Sequence, residues 1–427
     1  MCKMRVKNFG PIKQGLKTDD GFIDFSKVTI FIGNQGTGKS TLAKLFSSFS
    51  WMEKAVLRGD YDVKRLERKG FFQKNVLAYH RMENYVDIDK SDILYVGTGA
   101  IIHWSSGRLS VNVKPINHDK PFAMPQIMYI PAERNFISYM KNLEAMKLAS
   151  DELNEFLIEF NNAKQNLKGH FSLPINNSVI EYDKLNDILH VKGVNDDGYK
   201  IRLTEASSGF QSLVPALLVT AYLTEKIKKK TGDAGSFNLP HTMSVARVLR
   251  LRKELDDLLT NFEDKADLER AVAAAVFSKY INDSLLNIVE EPEQNLFPAS
   301  QWKVLESLLA YNNTQPDNKL VLTTHSPYIV SYMGISAQAH QLAEKITVAH
   351  SDELKSELAT VINPSAMVSN QAIAIYQMNE DGSLTKLVSE YGIPSSRNQL
   401  NDYLRKGNAL FDRLLDIEDK LEAKVGD

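Results

Sequence analysis

The chain has 427 residues, 43% apolar and 24% charged, a formal net charge of −2 and a single cysteine, Cys2. That length holds one large domain with insertions, or two domains, and the composition is that of an ordinary globular protein. The near-neutral balance provides no global field for nucleic acid or acidic lipid, and one cysteine excludes a disulfide within the chain and fits a reducing compartment. Residues 1–8 are polar and basic with no apolar core behind them, so no signal peptide is expected. The longest apolar run, Leu213 to Leu223, is too short to span a bilayer. The expectation is a cytoplasmic protein with no membrane contact, no internal repeat and no low-complexity tract.

Lys3 to Phe9 alternates like an edge strand and stops at Gly10-Pro11, and Phe22-Ile23-Asp24-Phe25 is a second short strand. Val28-Thr29-Ile30-Phe31-Ile32 is β-branched and apolar, the pattern of a strand covered on both faces. It runs into Gly33-Asn34-Gln35-Gly36-Thr37-Gly38-Lys39-Ser40, which fits G-x-x-x-x-G-K-[ST], the phosphate-binding loop. Ser40 to Phe46 reads as a helix start with Leu42 and Leu45 on one face, so the motif stands between strand and helix as it must. Glycines let successive N–H groups point at one anion, and the helix N-terminus adds partial positive charge. Lys39 then reaches the β- and γ-phosphates, Ser40 offers its hydroxyl to Mg²⁺, and Thr41 closes the nucleotide-binding run. Two strands leading straight into the loop suggest a mixed sheet and not a pure Rossmann order.

Residues 51–90 read as a charged helical insertion with interspersed aromatics (Trp51, Tyr61, Phe71, Phe72, Tyr79). Its basic run, Val63 to Lys69, reads better as a solvated helix face than as a nucleic-acid contact. Short strands follow from Asp92 to Val113, with turns at Gly97 to Gly99 and Ser105 to Gly107. Gln126-Ile127-Met128-Tyr129-Ile130 is another buried strand, and it ends in Pro131-Ala132-Glu133-Arg134. The C-terminal edge of an open α/β sheet is where ligands bind, so either Glu133 or Arg134 faces a nucleotide, or they are a capping Glu and a surface Arg.

Asn135 to Lys168 carries a helical pattern. Strands at Val179 to Tyr182 and Ile188 to Val191, the turn Asn195-Asp196-Asp197-Gly198 and a strand from Tyr199 to Leu203 deliver the chain to Glu205-Ala206-Ser207-Ser208-Gly209-Phe210-Gln211-Ser212. That stretch opens an apolar helix, Leu213 to Ile227, and so offers a second helix N-terminus with free N–H groups and serine hydroxyls. Alone it is ordinary capping; beside a phosphate loop it counts as an anion site. Thr231 to His241 reads as a loop and Ser244 to Phe277 as a charged helix with a basic start.

Leu285-Leu286-Asn287-Ile288-Val289 is a buried strand ending in Glu290-Glu291-Pro292-Glu293. Adjacent carboxylates at a strand end point to opposite sides, so one can hold Mg²⁺ and the other can orient or deprotonate a water. Lys319 to Thr324 is the next strand, ending in His325-Ser326-Pro327, where the imidazole can reach a γ-phosphate or an attacking water. The tail has strands Ala372 to Met378 and Leu384 to Val388 around the turn Asn379-Glu380-Asp381-Gly382, then an amphipathic helix from about Gln399 to Lys424 that reads as a docking surface, a dimer edge or a cap.

With these motifs in order, the chain resembles the ABC-type P-loop ATPases. It is closest to the soluble branch with the SMC, RecF and break-repair ATPases and the small AAA-labelled ATPases of bacterial defence loci. The residues are Gly33 to Ser40 as Walker A, Ala206 to Gln211 as signature, Ile288 to Pro292 as Walker B, Glu293-Gln294-Asn295-Leu296 at the D-loop and Thr324 to Pro327 as the switch histidine; Lys7 to Pro11 fits the same branch. The resemblance implies an α/β fold: a mixed β-sheet core flanked by helices, with an antiparallel β subdomain and helical insertions. One domain would span 1–427, with a helical subdomain at 220–280 and a C-terminal hairpin and helix at 370–427. It implies ATP and Mg²⁺ as cofactors, Glu290 holding Mg²⁺ through water, Glu291 as general base and His325 beside it. It also implies a head-to-tail homodimer in which Ser207, Ser208, Gly209 and Gln211 meet the partner's nucleotide. Departures are Phe210 with Gln211 one place late, Glu290 for aspartate, and a Q-loop glutamine with no firm counterpart, since Gln126 precedes its strand and Glu133-Arg134 stands in its place. Long coiled-coil arms and a fused nuclease constellation are absent.

The expected function is an ATPase switch that dimerises around ATP and controls a separate effector, a nuclease or toxin, in anti-phage defence. The alternative is a DNA-binding repair or recombination ATPase of RecF or SMC type, whose basic groove would come from Arg/Lys clusters at 64–69, 226–230 and 247–253. A transporter subunit and a nucleotide-bound scaffold without turnover fit less well.

Overall fold

The structure is a computed structural model, and it describes residues 2–115, 124–139, 150–194, 198–232, 282–389, 394 and 397–425. The helix expected at 244–277, the basic cluster at 247–253, most of the 231–241 loop, the turn at 195–197 and the middle of the 135–168 helix lie outside the described residues. Strands β1 (Cys2–Lys7), β2 (Gly15–Leu16), β3 (Ile23–Phe25) and β4 (Val28–Gly33) lead to helix α1 (Lys39–Leu57) and the single turn α2 (Val63–Leu66). After a π-helical turn, Phe72–Leu77, come β5 (Asp92–Val96), β6 (Ala100–Ser105), β7 (Arg108–Val113) and β8 (Pro125–Ile130). Helices α3 (Asn135–Tyr139) and α4 (Asp151–Asn166) precede β9 (His170–Ser172), β10 (Ser178–Asp183), β11 (Ile188–Gly193) and β12 (Lys200–Arg202). The chain continues through α5 (Ser208–Gly232), β13 (Ser284–Glu290), α6 (Pro298–Asn312), β14 (Lys319–Thr324), α7 (Pro327–Ala349) and α8 (Asp352–Val361), and ends with β15 (Ile373–Met378), β16 (Ser383–Lys386) and α9 (Gln399–Val425).

The central sheet has seven strands in the order β2-β16-β15-β4-β14-β13-β8. Its five strands from β15 to β8 are parallel, and β16 is antiparallel to β15, so the sheet is mixed. The two strands expected from the sequence to make it so, β1 and β3, do not; β2 and β16 at its edge run against the other five. β1 and β3 belong to a separate antiparallel sheet, β3-β1-β5-β6-β7, and a third sheet, β12-β11-β10-β9, is antiparallel as well. Period-2 alternation reads the same within β1 in either kind of sheet; only pairing with β5, more than 80 positions away, decides it.

All six residues of β4 and all seven of β13 are buried, as both-face coverage demands. Alternate side chains divide between two cores. Val28, Ile30, Ile32, Leu285 and Val289 join the core under α4 to α7, whereas Phe31, Leu286 and Ile288 join the core between α1 and the β1 sheet. Glu53 of α1 fixes that second sheet: its buried carboxylate accepts from Tyr95 Oη (2.6 Å) and from the backbone N–H groups of Gly99 (2.6 Å) and Ala100 (3.1 Å). A buried carboxylate persists only with such donors.

Candidate nucleotide-binding site

The phosphate loop joins β4 to α1. Gly33, Gly36 and Gly38 have φ of +142°, +74° and +104°, values that only glycine adopts without strain. At Gly33 a Cβ would also come within 2.6 Å of the Met378 carbonyl oxygen. Gly38 is the left-handed residue before α1, with no side chain capping the helix, so the first N–H groups of α1 stay available. Thr37 Oγ1 donates to the Asn34 carbonyl (2.7 Å) and holds the turn. Lys39 is 5% exposed, and its Nζ donates back to the carbonyls of Gly33 (3.0 Å) and Asn34 (2.8 Å). Burial lowers its pKa to about 8, against the opposing fields of Glu291, Glu293 and Glu290. Ser40 is half-buried and Thr41 buried in the first turn of α1.

The ends of β13 and β14 lie beside this loop because β14 pairs with both β4 and β13. Glu290 closes β13 and is 5% exposed. Its Oε1 accepts from Tyr129 Oη (2.6 Å) and its Oε2 from the Ala132 N–H (3.0 Å). Glu291 takes a left-handed backbone (φ +44°), its N–H bonded to the Thr323 carbonyl (2.8 Å), which turns its side chain out of the strand direction. Its Oε1 lies 3.6 Å from His325 Nε2. Burial lowers the His325 pKa, Lys39 adds to that, and a hydrogen bond to the Gly33 backbone opposes it. The imidazole is therefore neutral at pH 7. Glu293 Oε1 accepts from Thr324 Oγ1 and from the His325 N–H, both 2.7 Å, and its Oε2 is buried without a partner. Burial raises the Glu293 pKa.

Arg134 is neither a nucleotide contact nor a surface residue. It is 1% exposed, and its guanidinium donates to the carbonyls of Ser212 (3.0 Å), Pro131 (3.2 Å), Glu290 (2.6 Å) and Glu291 (2.7 Å). It thereby joins the β8 end, the β13 end and the first turns of α5. Glu133 is exposed. The role of Arg134 has no signal in the sequence, because its partners are backbone carbonyls from three separate segments.

Helix α5 starts at Ser208, with Ser207 and Ser208 exposed. A Cβ on Gly209 would lie 2.9 Å from the Asn295 carbonyl oxygen, so glycine there lets α5 approach the 293–296 turn. Asn295 Nδ2 donates to Ser212 Oγ (3.2 Å) across the same junction. Gln211 is placed apart from the exposed serines: it is 2% exposed and its Nε2 donates to the Thr204 carbonyl (3.2 Å).

A nucleotide and Mg²⁺ fit these residues unevenly. The buried Lys39 ammonium and the free N–H groups of α1 fit a polyphosphate. Both Glu290 oxygens already accept one hydrogen bond, so Glu290 fits an ion held through water better than one ligated directly. Mg²⁺ takes one or two protein ligands beside phosphates and water; Ser40 would supply one, and Glu290 would act through a bound water. No cluster of three or more His, Cys, Asp or Glu side chains that could hold a metal occurs among the described residues. No helix among them is long and apolar enough to cross a membrane.

No family model matches the chain, and no curated protein does. Among solved structures the fold is similar to an SMC head bound to the C-winged helix domain of ScpA, at 10% identity over 91% of this chain and 98% of that one, TM-score 0.39. It is similar to a Smc head domain with an extended coiled coil bound to the C-terminal domain of ScpA from Pyrococcus furiosus (11% identity, 97% and 100% covered, TM-score 0.36). A third is a dimeric ATP-binding cassette bound to ADP and Pi (9% identity, 91% and 100% covered, TM-score 0.30). At that distance the placement of each site residue stands on the contacts described above.

Proposed function

We propose that the chain is an ATP-binding and ATP-hydrolysing switch of the ABC type, which dimerises head-to-tail around ATP and controls a separate effector. The observation that supports it most is the convergence on one phosphate loop of Lys39, Glu290, Glu291, Glu293 and His325. Lys39 and the α1 N–H groups bind the β- and γ-phosphates. Ser40, with Glu290 acting through water, would hold Mg²⁺, which would screen the phosphate charge. Glu291, turned out of β13, takes the proton of the attacking water, and neutral His325 orients that water or the γ-phosphate. Exposed Ser207 and Ser208, with Gly209, present the α5 N-terminus to the nucleotide of a second copy. The link to a nuclease or toxin and to anti-phage defence rests on the family resemblance.

The test is mass photometry of purified wild type, Glu291→Gln and Ser207→Arg with ATP and Mg²⁺, alongside phosphate release. Glu291→Gln should bind ATP, release no phosphate and accumulate as dimer. Ser207→Arg should bind ATP and stay monomeric. Wild-type turnover by Glu291→Gln would remove its role as base, and ATP-induced dimers of Ser207→Arg would remove the signature reading. Salt-sensitive DNA binding by the trapped dimer would favour the repair-type alternative.

A further inference from the structure

A second cavity, of about 140 Å³, lies among α1, the π-helical turn, β8 and α4. It is separate from the phosphate loop: its α1 residue Ser48 is nine positions past Lys39, about 13 Å along the helix. Buried Ser48, His80 and Tyr129 form its floor, and the more exposed Trp51, Asn75 and Glu155 its rim.

Two features of the floor call for a ligand. Ser48 Oγ is buried and has no hydrogen-bond partner. A helical hydroxyl normally returns to the carbonyl one turn back, as Thr220 does to Ala216 and Thr224 to Thr220 here. A buried hydroxyl without a partner costs stability, and this one belongs to a residue that lines the cavity. His80 is the second feature. Its Nδ1 is bound to the Glu152 carboxylate, which Lys44 Nζ also holds at 2.9 Å. Burial pushes the imidazole pKa down, so His80 is neutral, donates through Nδ1 and leaves Nε2 as an acceptor for the cavity it lines.

The geometry points to a binding site for a single-ring, flat heterocycle that carries N–H donors. Trp51, Tyr79 and Tyr129 supply ring surfaces, His80 Nε2 and Glu155 accept, and Ser48 serves as donor or acceptor. The volume matches one ring: a cavity of about 150 Å³ takes up benzene in an engineered protein.

The site also has a route to the phosphate chemistry. Tyr129, whose ring centre lies 5.1 Å from that of His80, donates its hydroxyl to Glu290 Oε1 at 2.6 Å. A ligand that shifts the Tyr129 ring therefore shifts or frees Glu290. This second half rests on the ATP reading above; the binding site does not.

The experiment uses the full chain and millimolar cytosine, uracil, 2-aminopyrimidine and nicotinamide, read by ligand-detected NMR and Trp fluorescence. At least one should bind. Ser48→Leu, which fills the floor, should weaken it about tenfold or more, and Trp51→Ala, at the exposed rim, should weaken it several-fold, with the thermal melt of each variant recorded alongside. No binding by any of the four, or binding that neither variant changes, overturns the site and leaves a cavity filled with water. For the link, the bound heterocycle should change the affinity for a fluorescent ATP analogue at least twofold. Unchanged affinity overturns the link. A chain that binds the heterocycle and no nucleotide overturns the ATP reading while the cavity site stands.

Discussion

Arg134 Nη1 donates to the carbonyl oxygen of Glu290 across 2.6 Å, and Nη2 of the same guanidinium donates to Glu291 across 2.7 Å. One buried side chain thus sets the backbone of both carboxylates at the end of β13. The same guanidinium reaches Ser212 in α5, so the two helix-and-strand ends that frame the site share a partner. Replacing Arg134 with Met leaves four carbonyls short of a donor, and we expect a loss of about 3–5 kcal/mol in urea denaturation. Arg134→Lys should recover little, because an ammonium cannot span the fork. A loss below about 1 kcal/mol for Arg134→Met would show that the bridge does not hold these segments.

Lys39 titrates near pH 8 in the nucleotide-free chain because burial disfavours its charge; its ordinary value is 10.5. Between those two values the unfolded chain holds more protons, so this group alone makes the free fold more stable as pH rises through the window. Bound phosphates favour the charged form, so ATP binding there must take up a proton. Affinity should fall as pH rises above about 8. Calorimetry at pH 8.5 in two buffers of different ionisation enthalpy checks this; equal heats would mean that Lys39 is already charged before ATP arrives.

Glu293 is expected to position His325 without touching the nucleotide, since one oxygen receives both Thr324 Oγ1 and the His325 N–H. Glu293→Gln keeps an acceptor oxygen and should turn over ATP at close to the wild-type rate. Glu293→Ala releases both donors, and kcat should drop about tenfold with KM little changed. Loss of activity in Glu293→Gln equal to that in Glu293→Ala would point to a need for the charge instead.

Gly209→Ala puts a methyl group 2.9 Å from the Asn295 carbonyl. The 293–296 turn must retreat, at about 1–3 kcal/mol. ATP binding to the monomer should survive, because the change lies away from Lys39. ATP-driven dimerisation, measured by sedimentation, should weaken. Dimers of wild-type strength would mean that the close approach of α5 to this turn is not needed for assembly.

The phosphate loop was legible because its chemistry is local. Spaced glycines, a lysine and a serine must stand between a buried strand and a helix, and the runs 28–32 and 40–46 announce both. The ends of β13 and β14 were legible for a similar reason: carboxylates or a histidine after a largely apolar, buried strand have few bland explanations. Gln211 was harder. It sits two residues past Gly209 in the first turn of α5, and only packing showed that its side chain turns inward to Thr204.

What the amino-acid sequence determined by itself was the order of strands and helices around the site and the identity of the residues at strand ends, because short-range backbone preference and alternation of apolar residues decide both. What only the tertiary structure decided was partnership over long sequence distances. It placed β1 with β5 outside the central sheet, Arg134 under Glu290 and Ser212, Glu293 against His325, and Tyr129 between Glu290 and a second cavity. Each of those pairings joins segments whose local pattern is satisfied equally well by other partners, and burial of the whole core selects one of them.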